Sequence, residues 1–197
     1  MKFLTSTGLV AFLILSSGVS QAATITFEFS GVIDSVYYPN RYGDSINVGD
    51  TYIATFIIDS TVPNQYHKNL YTGLYLPLSA TVTAGQMTFT GVQNERQGLL
   101  VQARTSPTFM SLWSEFTSSP DVGILSLAGS FIDWTGTALL THDIPLPDTA
   151  PSLGAFQQVY FEATDPLTKL VQFHGTATSL EITPEPGTLG LVLFGVA

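Results

Sequence analysis

Apolar and polar residues alternate with a period of two along most of this chain. Near the start, Ile25, Phe27 and Phe29 fall on one face of an extended segment. Thr26 and Glu28 fall on the opposite face. This alternation is the pattern of a β-strand with one buried face. No segment of the body has a capped apolar stripe at helical spacing, so we expect an all-β protein.

The alternating segments are short, and turn residues separate them. Gly31 predicts a bulge or bend in the first strand, and Gly85 predicts a tight hairpin. The pattern gives about nine to eleven strands. The first strand comprises 24–30 and continues in 32–38, and the others are 52–58, 78–84, 86–90, 99–103, 109–116, 122–127, 130–134, 158–163, 170–173 and 177–182, with 138–140 as a candidate short piece. We expect residues 24–183 to form one antiparallel β-sandwich or jelly-roll-like domain.

The charge of the chain excludes several kinds of partner. Asp and Glu number 15 against 6 Lys and Arg, which gives a net charge of −9. Such a chain has no basic patch to neutralise phosphates, so we expect no nucleic-acid binding. The sequence contains no cysteine, which excludes disulfide bonds, thiolate nucleophiles and cysteine-based metal sites.

The N-terminal residues have the features of an export signal. Lys2 precedes the apolar run 9–15, and small residues follow up to Ala22 and Ala23. We therefore interpret residues 1–23 as a signal peptide that is cleaved after Ala22 or Ala23. The alternative, a membrane anchor, needs about 20 consecutive apolar residues, and this run is shorter. Export without cysteine favours a bacterial host.

The C-terminal residues have the features of a second targeting signal. Pro184, Glu185 and Pro186 are followed by the apolar segment 189–197. This arrangement resembles the PEP-CTERM sorting signal of Gram-negative bacteria. The resemblance implies processing by an exosortase, transient association of the tail with the inner membrane, and a role at the cell surface in exopolysaccharide or biofilm.

The body resembles the same group at both of its ends. The opening segment 27–36, the turn 48–50 and the final segment 175–182 match the usual opening and ending of such proteins. The region 184–197 departs from the family pattern, because it lacks the terminal cluster of arginines. A helix of eleven residues spans about 16 Å, roughly half of a bilayer's hydrocarbon core. Either the signal is truncated, or it is degenerate and the protein is simply secreted.

Catalytic and metal-binding patterns are weak. His67, His142 and His174 lack the paired spacing of zinc ligands. The acidic residues define no spacing that selects a catalytic pair, and no nucleophile elbow, P-loop or dinucleotide fingerprint occurs. We therefore expect no enzyme activity, no cofactor and no metal. Two interpretations of one acidic cluster stay open, calcium ligands or turn-capping residues. Its members are Asp44, Asn47, Asp50 and Asp59.

Tyrosines next to polar residues are the best candidates for a binding site. One group comprises Tyr37, Tyr38 and Tyr42, and the other comprises Tyr66, Tyr71 and Tyr75. Flat amphipathic rings beside polar groups suit stacking on sugars, although the same residues also suit ordinary strand edges. Trp113 and Trp134 lie within strand patterns and are expected in the core.

These observations predict an exported structural or adhesive protein of the cell surface or extracellular matrix. The first alternative is a carbohydrate-binding module for extracellular polysaccharide. The second alternative is a secreted hydrolase.

Overall fold

The structure is a computed structural model that describes residues 24–66, 71–91, 98–117, 124–165, 167–168 and 170–184. Ten strands form in these residues. They are β1 (Thr24–Val36), β2 (Thr51–Asp59), β3 (Thr72–Tyr75), β4 (Pro77–Ala84), β5 (Met87–Gly91), β6 (Gly98–Gln102), β7 (Thr108–Thr117), β8 (Ile124–Asp133), β9 (Gln158–Thr164) and β10 (Val171–Pro184). The described helices are one turn at Pro39–Tyr42 and two short 3₁₀ segments at Gly43–Ser45 and Leu153–Ala155.

Eight of the strands close into an antiparallel barrel. The order around the ring is β7-β5-β4-β2-β1-β10-β9-β8, and the pairing of β8 with β7 completes it. β6 pairs with β7, and β3 pairs with β6, so these two strands extend the wall on one side. The all-β expectation is confirmed, but the β-sandwich or jelly-roll prediction is wrong. Period-two alternation reports which face of a strand is buried, and it does not report whether the sheet closes on itself.

Aromatic side chains fill the barrel interior. Eight of the 13 phenylalanines are fully buried there, together with Tyr52. Phe29 lies near the centre, with its ring edge-on to Phe131 at 5.4 Å and stacked with Phe56 at 6.0 Å. The Tyr52 ring stacks on Phe161 at 4.3 Å. The alternation that defined the strands therefore places their apolar faces inside one ring.

One glycine makes room for this packing, and two others were predicted to shape the strands. A Cβ atom at Gly129 would collide with the ring of Phe29. β8 runs without interruption from Ile124 to Asp133, so Gly129 lies inside the strand. The predicted break between 122–127 and 130–134 is therefore wrong. The register between β1 and β10 does shift at Gly31, but the extra residue there is Thr178 of β10. The extra residue within β1 is Asp34, so a bulge of the first strand at Gly31 is not what the structure shows. The hairpin predicted at Gly85 is confirmed, with φ at +56° in the turn between β4 and β5.

The other strand predictions are mostly confirmed. Segments 170–173 and 177–182 form one strand, β10, and segment 138–140 is not a strand. The strand Thr72–Tyr75 was not predicted, because four residues are too few to show an alternating pattern.

The antiparallel registers define two ends of the barrel. At the hairpin end, β1 finishes at Val36, β4 turns into β5, and the connection 165–170 joins β9 to β10. At the termini end, β1 begins at Thr24 and β10 finishes at Pro184. The connections 60–71, 103–107 and 134–157 also lie at the termini end. Val36 pairs with Phe173 and Ile25 pairs with Pro184, so the two ends are separated by the length of β1.

Candidate functional site

A cleft of about 390 Å³ opens at the hairpin end, between the β1–β2 and β9–β10 connections. We call it the tyrosine cleft. The described residues that line it are Tyr37, Tyr38, Pro39, Asp165, Thr168, Leu170 and Gln172.

The local sequence explains why two tyrosine rings face solvent here. The Tyr37 N–H donates to the Gln172 carbonyl at 2.8 Å, which extends the β1–β10 pairing beyond β1. Tyr38 precedes Pro39, and a residue before proline avoids helical backbone angles. The helical turn then brings Tyr42 inward, where its ring meets Phe173 edge-on at 5.6 Å. Tyr42 thus anchors the turn, while Tyr37 and Tyr38 stay 59% and 43% exposed.

The opposite wall of the cleft is polar and held in place. Asp165 Oδ1 accepts the N–H groups of Leu167 at 2.9 Å and Thr168 at 3.1 Å. The Asp165 N–H donates to the Leu170 carbonyl at 3.0 Å, which closes the loop. Gln172 is buried, and its Nε2 donates to the same carbonyl at 3.0 Å. These bonds fix the polar groups before any ligand arrives, which reduces the ordering cost of binding.

This arrangement is suited to binding a flat amphipathic ligand. Two tyrosine rings supply apolar faces and phenol groups, and a carboxylate, a hydroxyl and an amide lie beside them. Sugar rings have an apolar face and a rim of hydroxyl groups, so the cleft offers contacts to both.

The structure brings together only part of the predicted glycan-binding set. Tyr37 and Tyr38 share the tyrosine cleft, but the ring of Tyr42 is buried and is not presented to solvent. Tyr71 is exposed but is the last residue of the connection 60–71 at the termini end. Tyr75 is buried, so we remove Tyr42 and Tyr75 from the candidate set.

Tyr75 has a structural role at the termini end. Its hydroxyl donates to the His142 carbonyl at 3.2 Å, which ties β3 to the connection 134–157. Burial, assisted by the charge of Asp143, raises the pKa of Tyr75 to about 12. A second cleft of about 290 Å³ lies here. Its described lining residues are Ser60, Val62, Asn64, Tyr75, Asp143, Ile144 and Leu146.

Four residues of the tyrosine cleft were not singled out from the sequence. They are Asp165, Thr168, Leu170 and Gln172. The Asp-Pro pair at 165–166 signals a turn. Its position beside Tyr37 depends on the β1–β10 register, which the sequence does not reveal.

A histidine and a carboxylate meet on the outer wall of the barrel. His174 Nδ1 lies 3.6 Å from Asp34 Oδ2, and the His174 ring stacks on Tyr160 with centroids 5.9 Å apart. In the described part of the chain, the Thr176 hydroxyl donates to Asp34 at 2.7 Å rather than to the histidine. A nucleophile–base pair needs its hydroxyl bonded to the base, so this geometry lacks that feature.

The acidic cluster considered for calcium is divided by the fold. The Asn47 N–H donates to Asp50 Oδ2 at 2.8 Å, and the Asn47 side chain donates to the Asp44 carbonyl at 2.8 Å. Asp59 lies at the other end of β2, where it accepts the N–H and hydroxyl of Thr61. These contacts are turn-capping bonds. Within the described ranges, no group of three or more His, Asp and Glu side chains is arranged to hold a metal ion.

Asp133 begins the connection 134–157 and organises it. Its carboxylate accepts the N–H groups of Thr135, Thr137 and Ala138 at 2.6–2.7 Å. The hydroxyl of Thr135 and these backbone donors hold the pKa of Asp133 well below its ordinary value. Trp134, which follows, is 54% exposed, so its prediction as a core residue is wrong. Trp113 is half-buried and packs over Gly98.

The sequence motifs at the two ends of the chain fall mostly outside the described residues. Ala22, Ala23, Glu185 and Pro186 lie outside them, as does His67. Pro184 is exposed at the last position of β10, opposite Ile25 of β1. Among the described residues, no helix has the length and apolarity that a membrane span requires.

No family model, curated protein or solved structure matches this chain.

Proposed function

We propose that this chain is an exported protein of the bacterial cell surface or extracellular matrix. In this proposal it is not an enzyme but a structural or adhesive protein that holds polysaccharide. Its export rests on the signal-peptide pattern that ends at Ala22 and Ala23. Its sorting rests on Pro184, Glu185 and Pro186, which an exosortase would process while the tail contacts the inner membrane.

The tyrosine cleft is the observation that carries the polysaccharide-binding part of the proposal. Tyr37 and Tyr38 are both exposed, and both line one cleft with fixed polar groups. Exposed rings next to preorganised hydrogen-bonding groups are the usual composition of a small-ligand site. A polymer that contacts the cleft in many molecules at once gains avidity from modest single-site contacts.

Affinity electrophoresis in gels that contain extracellular polysaccharide from a Gram-negative biofilm tests this binding. We expect the wild-type protein to be retarded, and Tyr37→Ala and Tyr38→Ala to lose about tenfold in affinity each through lost stacking. Tyr66→Ala is the matched control, because Tyr66 is 50% exposed but lies in the 60–71 connection of the termini end. Equal retardation of all three variants and the wild type would contradict the assignment of the cleft.

Mass spectrometry of the native protein tests the sorting part separately. Intact mass and terminal peptides would be measured on protein from the cell envelope and from the medium. We expect a mature N-terminus at Ala23 or Thr24 and a C-terminus beside Pro184. A mature chain that still ends at Ala197 would refute exosortase processing and leave the binding proposal standing.

A further inference from the structure

The termini end of the barrel exposes apolar side chains next to charges of both signs. Leu140 is 73% exposed and Trp134 is 54% exposed. Arg104 and Asp143 are also exposed, and they belong to the same two connections. We call these four residues the termini face. Its composition differs from that of the tyrosine cleft at the other end.

Hydrogen bonds join the two connections into one surface. Arg104 Nε donates to the Leu140 carbonyl at 2.8 Å, and the Ser106 hydroxyl donates to the Trp134 carbonyl at 2.7 Å. Arg104 has φ at +57°, a backbone conformation that is uncommon for a residue other than glycine and persists where the surroundings fix it. The termini face is therefore held together before any partner binds.

The two charges of the termini face have no ionic partner. In the described part of the chain, neither the Arg104 guanidinium nor the Asp143 carboxylate forms an ion pair. Asp143 follows Leu140 by three residues, so their Cα atoms are at most about 11 Å apart. One cation and one anion thus lie near each other on the face, and each can pair with another molecule.

A partner for this face has to supply an anion, a cation and an apolar surface together. A second copy of the chain supplies all three, because a two-fold axis places Arg104 of each copy against Asp143 of the other. Trp134 and Leu140 then become buried between the copies. Tryptophan and arginine are also the residue types that most often dominate the binding energy of protein interfaces.

We propose that this chain forms a two-fold symmetric dimer through the termini face. The hairpin ends then point away from each other, so the two tyrosine clefts lie at opposite ends of the dimer. Such a dimer can bridge two polysaccharide chains, and each cleft binds as it does in the monomer. The bridging rests on the proposed function, whereas the dimer itself does not.

The chain ends leave the barrel on its other side. β1 begins at Thr24 and β10 finishes at Pro184. In the ring, β1 lies opposite β7, because three strands separate them in either direction. Arg104 lies in the connection that leads into β7. The described chain ends therefore do not cover the termini face.

Sedimentation velocity of the full chain tests the dimer. The protein would be measured over about a hundredfold range of concentration, because dimerisation depends on protomer concentration. Physiological salt, with a Debye length of about 8 Å, screens the long-range repulsion between two copies of net charge −9. We expect a reversible monomer–dimer equilibrium.

Two charge reversals test whether the termini face forms the interface. Arg104→Asp would set carboxylates against Asp143, and Asp143→Arg would set guanidinium groups against Arg104. We expect each variant to weaken dimerisation about a hundredfold, since the two-fold axis repeats the repulsion. Aspartate tolerates the left-handed backbone at position 104. Glu28→Arg is the matched control for Asp143→Arg, because it makes the same change in net charge at an exposed residue of β1.

An equal mixture of Arg104→Asp and Asp143→Arg is the decisive sample. Opposite charges face each other in the mixed dimer, so we expect it to form at wild-type concentrations. Its formation also shows that both variants are folded.

The outcomes separate this proposal from polysaccharide binding. A wild-type chain that stays monomeric at every concentration overturns the dimer and leaves the tyrosine cleft untouched. Dimerisation that survives in both charge reversals, or a mixture that stays monomeric, overturns the termini face as the interface. Loss of dimerisation in Glu28→Arg overturns it as well, since net charge would then control association. Equal retardation of the cleft variants and the wild type in polysaccharide gels contradicts the cleft alone.

Discussion

The two ends of the barrel carry similar residues but present them differently. At the hairpin end, Tyr37 and Tyr38 are exposed beside Asp165. At the termini end, Tyr75 is buried against the connection that carries Asp133 and Asp143. In both places tyrosines lie near carboxylates, but the two tyrosines that line the cleft at the hairpin end are exposed, and the tyrosine that lines the cleft at the termini end is buried.

The difference arises from what each connection does after it leaves the barrel. The connection 134–157 is bound back onto the barrel, because Asp133 fixes its first turn and the His142 carbonyl accepts from Tyr75. A Cβ atom at Gly73 would collide with that same carbonyl, which shows how closely the connection lies on β3. At the hairpin end, Tyr42 is the residue drawn inward, and the two tyrosines before it stay outside. Exposure therefore depends on how each connection packs, not on the tyrosine itself.

The largest expected contrast between the ends is in stability. Tyr75→Ala removes a buried ring and is expected to cost about 3 kcal/mol of unfolding free energy. Tyr38→Ala removes an exposed ring and is expected to cost less than about 0.5 kcal/mol. Urea unfolding at neutral pH, followed by tryptophan fluorescence, measures both values. Similar losses in the two variants would show that the ends are not built differently.

A second variant tests whether the interior couples the two ends. Gly129→Ala places a methyl group against the Phe29 ring and is expected to cost about 2 kcal/mol through overpacking. Gly154→Ala is the matched control, because a Cβ atom there meets nothing within 4 Å. We expect one cooperative transition in both variants, since Phe29 packs in the core that joins the ends. Unchanged stability of Gly129→Ala would mean that the Phe29 ring shifts without cost.

Acid titration sharpens the role of Asp133 at the termini end. Its folded pKa is depressed below the ordinary value of 3.8, so its contribution to stability is present above that value. The contribution is lost as the pH falls through the folded pKa, because the protonated carboxyl is a poorer acceptor. Asp133→Asn should therefore be less stable than the wild type at pH 7, and the gap should narrow in acid.

The control for this titration lies in the same connection. Asp148→Asn changes an exposed carboxyl and is expected to follow the wild-type curve in urea unfolding measured from pH 7 to pH 2. If the difference in unfolding free energy between Asp133→Asn and the wild type stays constant with pH, Asp133 stabilises the protein through its shape rather than its charge.

The sequence predicts the walls of the barrel better than its ends. Alternation around Phe27 and Phe29 and the turn at Gly85 are local features, and the structure confirms them. Closure of the ring depends on pairings between strands that are not consecutive in the chain, β1 with β10 and β5 with β7. No local pattern encodes such register, so the sandwich was predicted instead.

The residues of the candidate site likewise fall into those that local sequence predicts and those that only the tertiary structure reveals. Tyr37 and Tyr38 were identified from the sequence because aromatic residues next to Pro39 stand out locally. Asp165 and Gln172 were missed because only the pairing of β1 with β10 brings them near the tyrosines. The inward position of Tyr42 follows from its contact with Phe173, which is likewise a tertiary feature.

The smallest expected effect comes from the exposed indole at the termini end. Trp134 is 54% exposed, and tryptophan offers a larger stacking surface than tyrosine. Its backbone N–H donates to Gln157, and its carbonyl accepts from the Ser106 hydroxyl, so both bonds survive in Trp134→Ala. We expect this variant to change stability by less than about 0.5 kcal/mol and to bind polysaccharide like the wild type. A loss of binding as large as that of Tyr38→Ala would show that both ends of the barrel bind polysaccharide. The tyrosine cleft would then not be the feature that distinguishes the two ends.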